Sequence, residues 1–150
     1  MNTILVSAIG DVARSRLATV QVDDQLISAA KLLANTQISL VIVCDAVGAM
    51  AGVITKTNIV RLIGACGASA CMKPAAEVMT SDVAYCRPTD SVHDVLSMME
   101  KRGFVHVPVI DENFRPLGVI NARDALRMLV ANGEHESSLL RDYVMGIGYQ

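Results

Sequence analysis

Asn121 and Asp124 are the pair in this chain whose types and spacing most suit ligand chemistry. They stand in "GVINARDAL", residues 118–126, where a strand-like run gives way to a helix-like one. A helix start offers unpaired backbone N–H groups and the positive end of the helix dipole, and the two together attract phosphate. A carboxylate one turn in can accept from both hydroxyls of a ribose, each charge-assisted bond contributing about 1.5–3 kcal/mol. Gly118 allows close backbone approach, which suits a flat base. "GVITKTNIV", residues 52–60, repeats the element with Thr55 and Asn58 in the corresponding places. The spacing is equally that of a capping box, in which both side chains serve the helix, and the two roles are compatible. The first copy keeps the hydroxyl and replaces the carboxylate by an amide; the second does the reverse. The retained charge predicts that the pocket using Asp124 is the stronger of the two.

Other residues add to this pair. Lys56 and Arg123 are cations in the two helix starts, able to meet phosphates or to stay solvated. His106, in "HVPVID", is either a partly exposed strand residue or a phosphate contact that titrates near neutrality. Pro108 lacks an N–H, which favours an edge or irregular strand, and Val107 and Val109 alternate away from it. His93 and His135 read as helix-surface residues. Cys66 and Cys71 have no ligand cluster at metal spacing beside them, so no metal site is expected. Met98, Met99 and Met128 fall at helical spacing and read as core. No Walker loop, nucleophile elbow or H-E-x-x-H pattern occurs, and no catalytic constellation is found, so the chain is not expected to be an enzyme.

These residues are carried by a chain of 150, with 52% hydrophobic residues but only 3% aromatics and no Trp. The core must therefore be aliphatic. A net charge of −2 without a basic cluster argues against nucleic acid and anionic membranes as partners. The longest apolar run, residues 38–54, is interrupted by Asp45 and two glycines, too short for a membrane span. The N-terminus lacks a basic region ahead of its apolar stretch, and cysteines sit within apolar runs. Both features lead to the expectation of a reduced, cytoplasmic protein.

An internal repeat organises the chain. Residues 11–63 overlay residues 77–129 without a gap: Asp24 on Asp90, Val41 and Val43 on Val107 and Val109, Gly52-Val53-Ile54 on Gly118-Val119-Ile120. Each half begins with an extended piece (residues 17–20 and 83–86), followed by Asp24 or Asp90 in an N-cap place. Leu26, Ala29, Ala30 and Leu33 then share a helical face, as do Val92, Val95, Leu96 and Met99. Two strands and a last helix complete the half, with Ile59, Leu62 and Ile63, or Leu126, Leu129 and Val130, facing inward. Each half is thus β-α-β-β-α, and neither alone would bury much core. The expected organisation is a first unit at residues 3–65, a linker at 66–76 with Pro74 stopping any helix, a second unit at 77–131 and a tail at 132–150. Within the tail, Leu139, Leu140, Tyr143 and Val144 would share one face of an amphipathic helix.

The repeat, the order of elements and the phrases "EVMTSDVAYCRPTDSVHDVLSMM", "FVHVPVID" and "PLGVINARDAL" together resemble the cystathionine-β-synthase (CBS) domain family. The resemblance implies an α/β (α+β) fold of two tandem CBS units packed with pseudo-two-fold symmetry, a Bateman module standing alone. It implies a regulatory module that binds an adenine nucleotide (AMP, ADP, ATP or NAD(H)) in the cleft between the units and needs no cofactor. It implies that Thr55, Asn58, Asn121 and Asp124 contact ribose and phosphates, and that the strand holding His106, Val107 and Pro108 lines the adenine. It further implies that the first strands, with Thr19, Ala84 and Tyr85, close the other side of the base. A homodimer is expected, with a protein target of the regulation. The alternative is a protein-interaction and dimerisation module whose nucleotide pockets are vestigial.

Overall fold

The computed structural model describes residues 3–132, so the expected amphipathic helix and His135 lie outside the described residues. After a 3-10 turn (Val6–Ile9), the first half consists of α1 (Gly10–Ser15), β1 (Thr19–Gln21), α2 (Leu26–Leu33), β2 (Leu40–Cys44), β3 (Met50–Thr55) and α3 (Lys56–Cys66). A second 3-10 segment (Gly67–Met72) leads to α4 (Ala75–Val78), α5 (Val92–Arg102), β4 (His106–Ile110), β5 (Pro116–Asn121) and α6 (Ala122–Ala131). The linker is therefore largely helical, and Pro74 precedes α4 as its N-cap residue instead of ending a helix. Its fixed φ suits the entry to a helix, where a missing N–H costs nothing.

The repeat is reproduced in the strand register. β2 pairs antiparallel with β3 from Leu40↔Thr55 to Cys44↔Met50, and β4 pairs with β5 from His106↔Asn121 to Ile110↔Pro116. Each hairpin has its irregularity at the same place, after Val43 or Val109. Asp45 and Asp111 close the two turns alike, each Oδ1 accepting from two backbone N–H groups. In the first half β1 adds to β2 in parallel. The expected second counterpart, residues 83–86, reduces to a single bridge between Cys86 and Val109.

Asp24 and Asp90 do not cap helices. Each carboxylate turns back to accept the backbone N–H three residues earlier, from Gln21 and Arg87, at 2.8 Å. The cap of α5 is Ser91, whose Oγ accepts from Asp94 N, and Gly103 ends that helix at φ 73°. Such a left-handed stop favours glycine.

Alternation along the strands builds three cores. Val41, Val43 and Ile54 pack under α2 with Leu26, Ala29 and Leu33. Val107, Val109 and Ile120 pack under α5 and α6 with Leu96, Met99 and Leu129. The opposite strand faces meet between the halves through Leu40, Ile42, Cys44, Val53 and Val119. Each half is completed by an arm that precedes the other. Val6, Ile9 and Ala13 from the N-terminus join the core of the second half, while Ala75, Val78 and Met79, in and just after α4, join that of the first. Two residues expected to face inward do not: Ile63 and Val130 are exposed, because these outer faces of α3 and α6 have no element over them among the described residues.

Candidate functional site

The helix start at Thr55 is built as a complete capping box. Asn58 N donates to Thr55 Oγ1 at 3.4 Å, and Thr55 N donates to Asn58 Oδ1 at 2.8 Å. The Thr55 hydroxyl also donates to Asn58 Oδ1 at 2.9 Å, and Asn58 Nδ2 donates to Thr80 Oγ1 of the linker arm at 3.3 Å. Asn58 is thus spent locally. This helix start borders an open cleft of 660 Å³ between the halves. Leu40, Val53, Val83 and Ala84 give it an apolar floor, and Lys56, Arg61, Asp82, Val105, His106 and Pro108 are also on its lining. Thr55, Lys56, Asn58, Ala84, His106 and Pro108, all singled out by sequence, come together here.

A second cleft of 470 Å³ faces the start of α6. It contains Asn121, Arg123 and His106 together with Arg16, Ser39 and Arg127. Asn121 Oδ1 accepts from Arg123 N at 2.8 Å, which caps the helix and orients the amide. Its Nδ2 therefore faces His106 Nε2 at 3.2 Å, so this ring nitrogen is the acceptor and the imidazole proton lies on Nδ1. The pKa of His106 is lowered, first by burial and then by the Arg16 charge, with Asp124 acting in the other direction.

Asp124 does not line either cleft. Its carboxylate is buried and receives Arg16 Nε at 2.5 Å and Nη2 at 3.1 Å, a bidentate pair. The expectation was that Asp124 makes the stronger ribose pocket; in this structure its acceptor sites face a guanidinium from the N-terminal arm and not a cleft. The larger of these two clefts borders the helix start that has Asn58 in place of the carboxylate. The two arms explain the asymmetry. α1 continues as a helix to Ser15 and delivers Arg16 over the start of α6. The counterpart α4 stops at Val78, and Thr80 runs extended against Val53.

Four further residues singled out by sequence lie away from the clefts. Val107 is fully buried in the second core, and Thr19 is exposed on β1. Tyr85 packs edge-to-face on Phe114 at 5.0 Å, with the Arg87 guanidinium near both rings. Gly118 does offer a close approach, but to protein: a Cβ there would lie 2.7 Å from the Ala13 carbonyl. Lys56 and Arg123 are not equivalent either, since the repeat pairs Lys56 with Ala122 and Thr57 with Arg123. Sequence reasoning missed Arg16, Arg61, Thr80, Asp82 and Arg127 as site residues. The signal available was the repeat itself, which places Arg16 opposite Asp82, each directly ahead of a first strand. Among the described residues, no group of His, Cys, Asp or Glu is arranged to hold a metal ion, and no helix is long and apolar enough to cross a membrane.

A family profile described as the CBS domain matches twice, at residues 9–65 and 75–131. The chain belongs to the CBS domain family. Similar solved structures agree with the fold of a CBS pair. The CBS domain pair of protein MJ0100, solved with 5′-methylthioadenosine and S-adenosyl-L-methionine, aligns with a TM-score of 0.70 at 25% identity, covering 84% of this chain and 99% of that one. The protein ATU1752 of Agrobacterium tumefaciens aligns with a TM-score of 0.66 at 28% identity, covering 79% and 90%. In sequence, an uncharacterised 17.7 kDa protein of Acidianus ambivalens is 26% identical over 126 residues, 84% of this chain and 75% of its own length. The homoserine O-acetyltransferase of Methanococcoides burtonii is 25% identical over 85% of this CBS pair, which spans only 25% of that enzyme.

Proposed function

We propose that this CBS pair is a non-catalytic regulatory module that senses an adenine nucleotide, AMP, ADP, ATP or NAD(H), through the cleft at Thr55. The observation that carries this reading is the meeting of an apolar floor with a capped, cationic helix start in one opening. Val53, Val83, Ala84 and Pro108 suit the faces of a flat base, while Lys56 and Arg61 suit phosphates. The complex of the MJ0100 pair with two adenine nucleosides supports the ligand class. The module acts in the cytoplasm as a homodimer, and binding changes its affinity for a protein target.

A melting series with AMP, ADP, ATP and NAD(H) tests the reading. A ligand at a hundredfold excess over its Kd stabilises the fold by about 2.7 kcal/mol. Ala84→Trp, which fills the floor, should abolish the shift. Absence of any shift with all four ligands, or an equal shift in the variant, would refute it.

The second reading, an interaction and dimerisation module with unused clefts, is favoured by exposed apolar residues on α3 and α6. Val60, Ile63 and Val130 are 68%, 47% and 54% exposed. It predicts that Val60→Glu with Ile63→Glu changes the oligomeric state while filling the cleft with Ala84→Trp changes nothing.

A further inference from the structure

The repeat makes the second cleft the counterpart of the first, yet the two are lined by different chemistry. The apolar floor residues Val53, Val83 and Ala84 have Val119, Leu17 and Ala18 as counterparts, and none of these lines the second cleft. Arg16 pairs with Asp124, and Asn121 with His106 on the neighbouring strand, so the carboxylate and the amide of this helix start are both engaged by protein. What remains is faced by His106, Arg123 and Arg127, and by Arg16, whose Nε and Nη2 serve Asp124 and whose Nη1 donates to the Gln37 carbonyl at 3.4 Å; no carboxylate lines it. Arg123 and Arg127 lie one turn apart on α6, both exposed, with no ion pair among the described residues. Like charges at that spacing repel, and a guanidinium pair suits a bidentate anion.

We propose that the second cleft is an oligophosphate site closed to nucleosides, taking a di- or triphosphate chain on Arg123 and Arg127, beside the Arg16 guanidinium that Asp124 already holds. The chain has two sources. It is free inorganic oligophosphate, or it is the tail of a nucleotide seated in the first cleft, since both clefts share Ser39, Val105 and His106 along their common wall. Only the second source rests on the nucleotide reading above. In that case one nucleotide bridges both clefts, and each chain binds a single nucleoside.

Titration calorimetry with inorganic tripolyphosphate, adenosine, AMP and ATP decides it. The wild type is compared with Arg123→Ala/Arg127→Ala and with Lys56→Ala/Arg61→Ala, each checked by melting for retained fold. Tripolyphosphate should bind once per chain and weaken roughly tenfold or more in the α6 double variant, the cost of losing a charge-assisted contact. The first-cleft double variant should hold tripolyphosphate as tightly as the wild type. If a nucleotide tail is the source, ATP binds more tightly than AMP at one per chain, and the α6 variant erases that advantage. If adenosine, AMP and ATP all fail to bind while tripolyphosphate binds through α6, the nucleotide reading falls and the anion site stands. The proposal is overturned if tripolyphosphate does not bind, if its binding ignores Arg123 and Arg127 or depends instead on Lys56 and Arg61, or if two adenosines bind per chain.

Discussion

Arg16 and Asp124, 108 positions apart, form a bidentate ion pair that ties the N-terminal arm to the start of α6. The carboxylate is nearly inaccessible and the guanidinium mostly covered, with side-chain exposures of 6% and 20%. Removing one partner of such a pair leaves a buried charge without compensation, which costs about 3–5 kcal/mol. Asp124→Ala should therefore lower the unfolding free energy by about 3 kcal/mol or more in urea denaturation. Arg16→Met with Asp124→Leu should recover most of the loss, because neither charge is then stranded. A change below about 1 kcal/mol in the single variant would mean the pair is no better than a surface contact.

The same pair marks where sequence reasoning stopped. The strands were legible because the β-rich runs holding Val41 and Val43, and Val107 and Val109, overlay in the repeat; their register was not read from the sequence. The helical face of α5 was legible from Val92, Val95, Leu96 and Met99, all of which are buried. Periodicity reports that a face is covered and says nothing of what covers it. Val6, Ile9 and Ala13 could not be assigned to the second half, so Arg16 could not be placed against Asp124. For the same reason Gly118 was read as open to a ligand when Ala13 fills that space. Of the six residues that meet at the first cleft, Thr55, Lys56 and Asn58 were legible from the repeated helix start, and Ala84, His106 and Pro108 from the phrases that resemble the fold family.

His106 should make the protein lose stability on acidification. Burial and Arg16 lower its pKa beneath the ordinary 6.5, so below that pH the unfolded chain takes up the proton before the folded one does. Stability is unaffected above about pH 7 and falls as the pH drops from 6.5 toward the lowered value. Denaturation at pH 7.5 and pH 5.5 measures this, at roughly one unit either side of the transition. The wild type should lose more than His106→Gln between the two; equal losses would assign the pH dependence elsewhere.

Cys86 should be inert in the folded protein. Burial, helped by the Asp90 charge, pushes its thiol up to about 12, so almost no thiolate exists at neutral pH. Thiol labelling at about pH 8, near the ordinary thiol range, should leave Cys86 unmodified in the native state and modify it in urea. Cys71 is partly exposed and should label before the buried Cys44 and Cys86. Native modification of Cys86 at the rate of Cys71, read by mass spectrometry of the peptides, would contradict the burial of that thiol.

Gly118 and Gly52 should resist even alanine, for reasons of contact and not of backbone angle. At Gly118 a Cβ would meet the Ala13 carbonyl carbon and oxygen at 2.7 Å and the Ala13 Cβ at 2.9 Å. At Gly52 it would meet Thr80 O at 2.6 Å and the Met79 sulfur at 2.7 Å. Each arm thus crosses the partner half where the hairpin has no side chain, and a methyl group would lever the arm away. Overpacking of this kind costs about 1–3 kcal/mol. The Gly118 site is hemmed by backbone atoms of α1, whereas part of the Gly52 obstruction is a flexible methionine side chain that can turn aside. Gly118→Ala should also displace Arg16, only three residues beyond Ala13 in the chain, and so weaken its pair with Asp124. The expectation is a larger loss for Gly118→Ala than for Gly52→Ala, and in the former a reduced coupling between Arg16 and Asp124 in a double-mutant cycle. Equal coupling in both backgrounds would show that the arm moves as a rigid piece and keeps its ion pair.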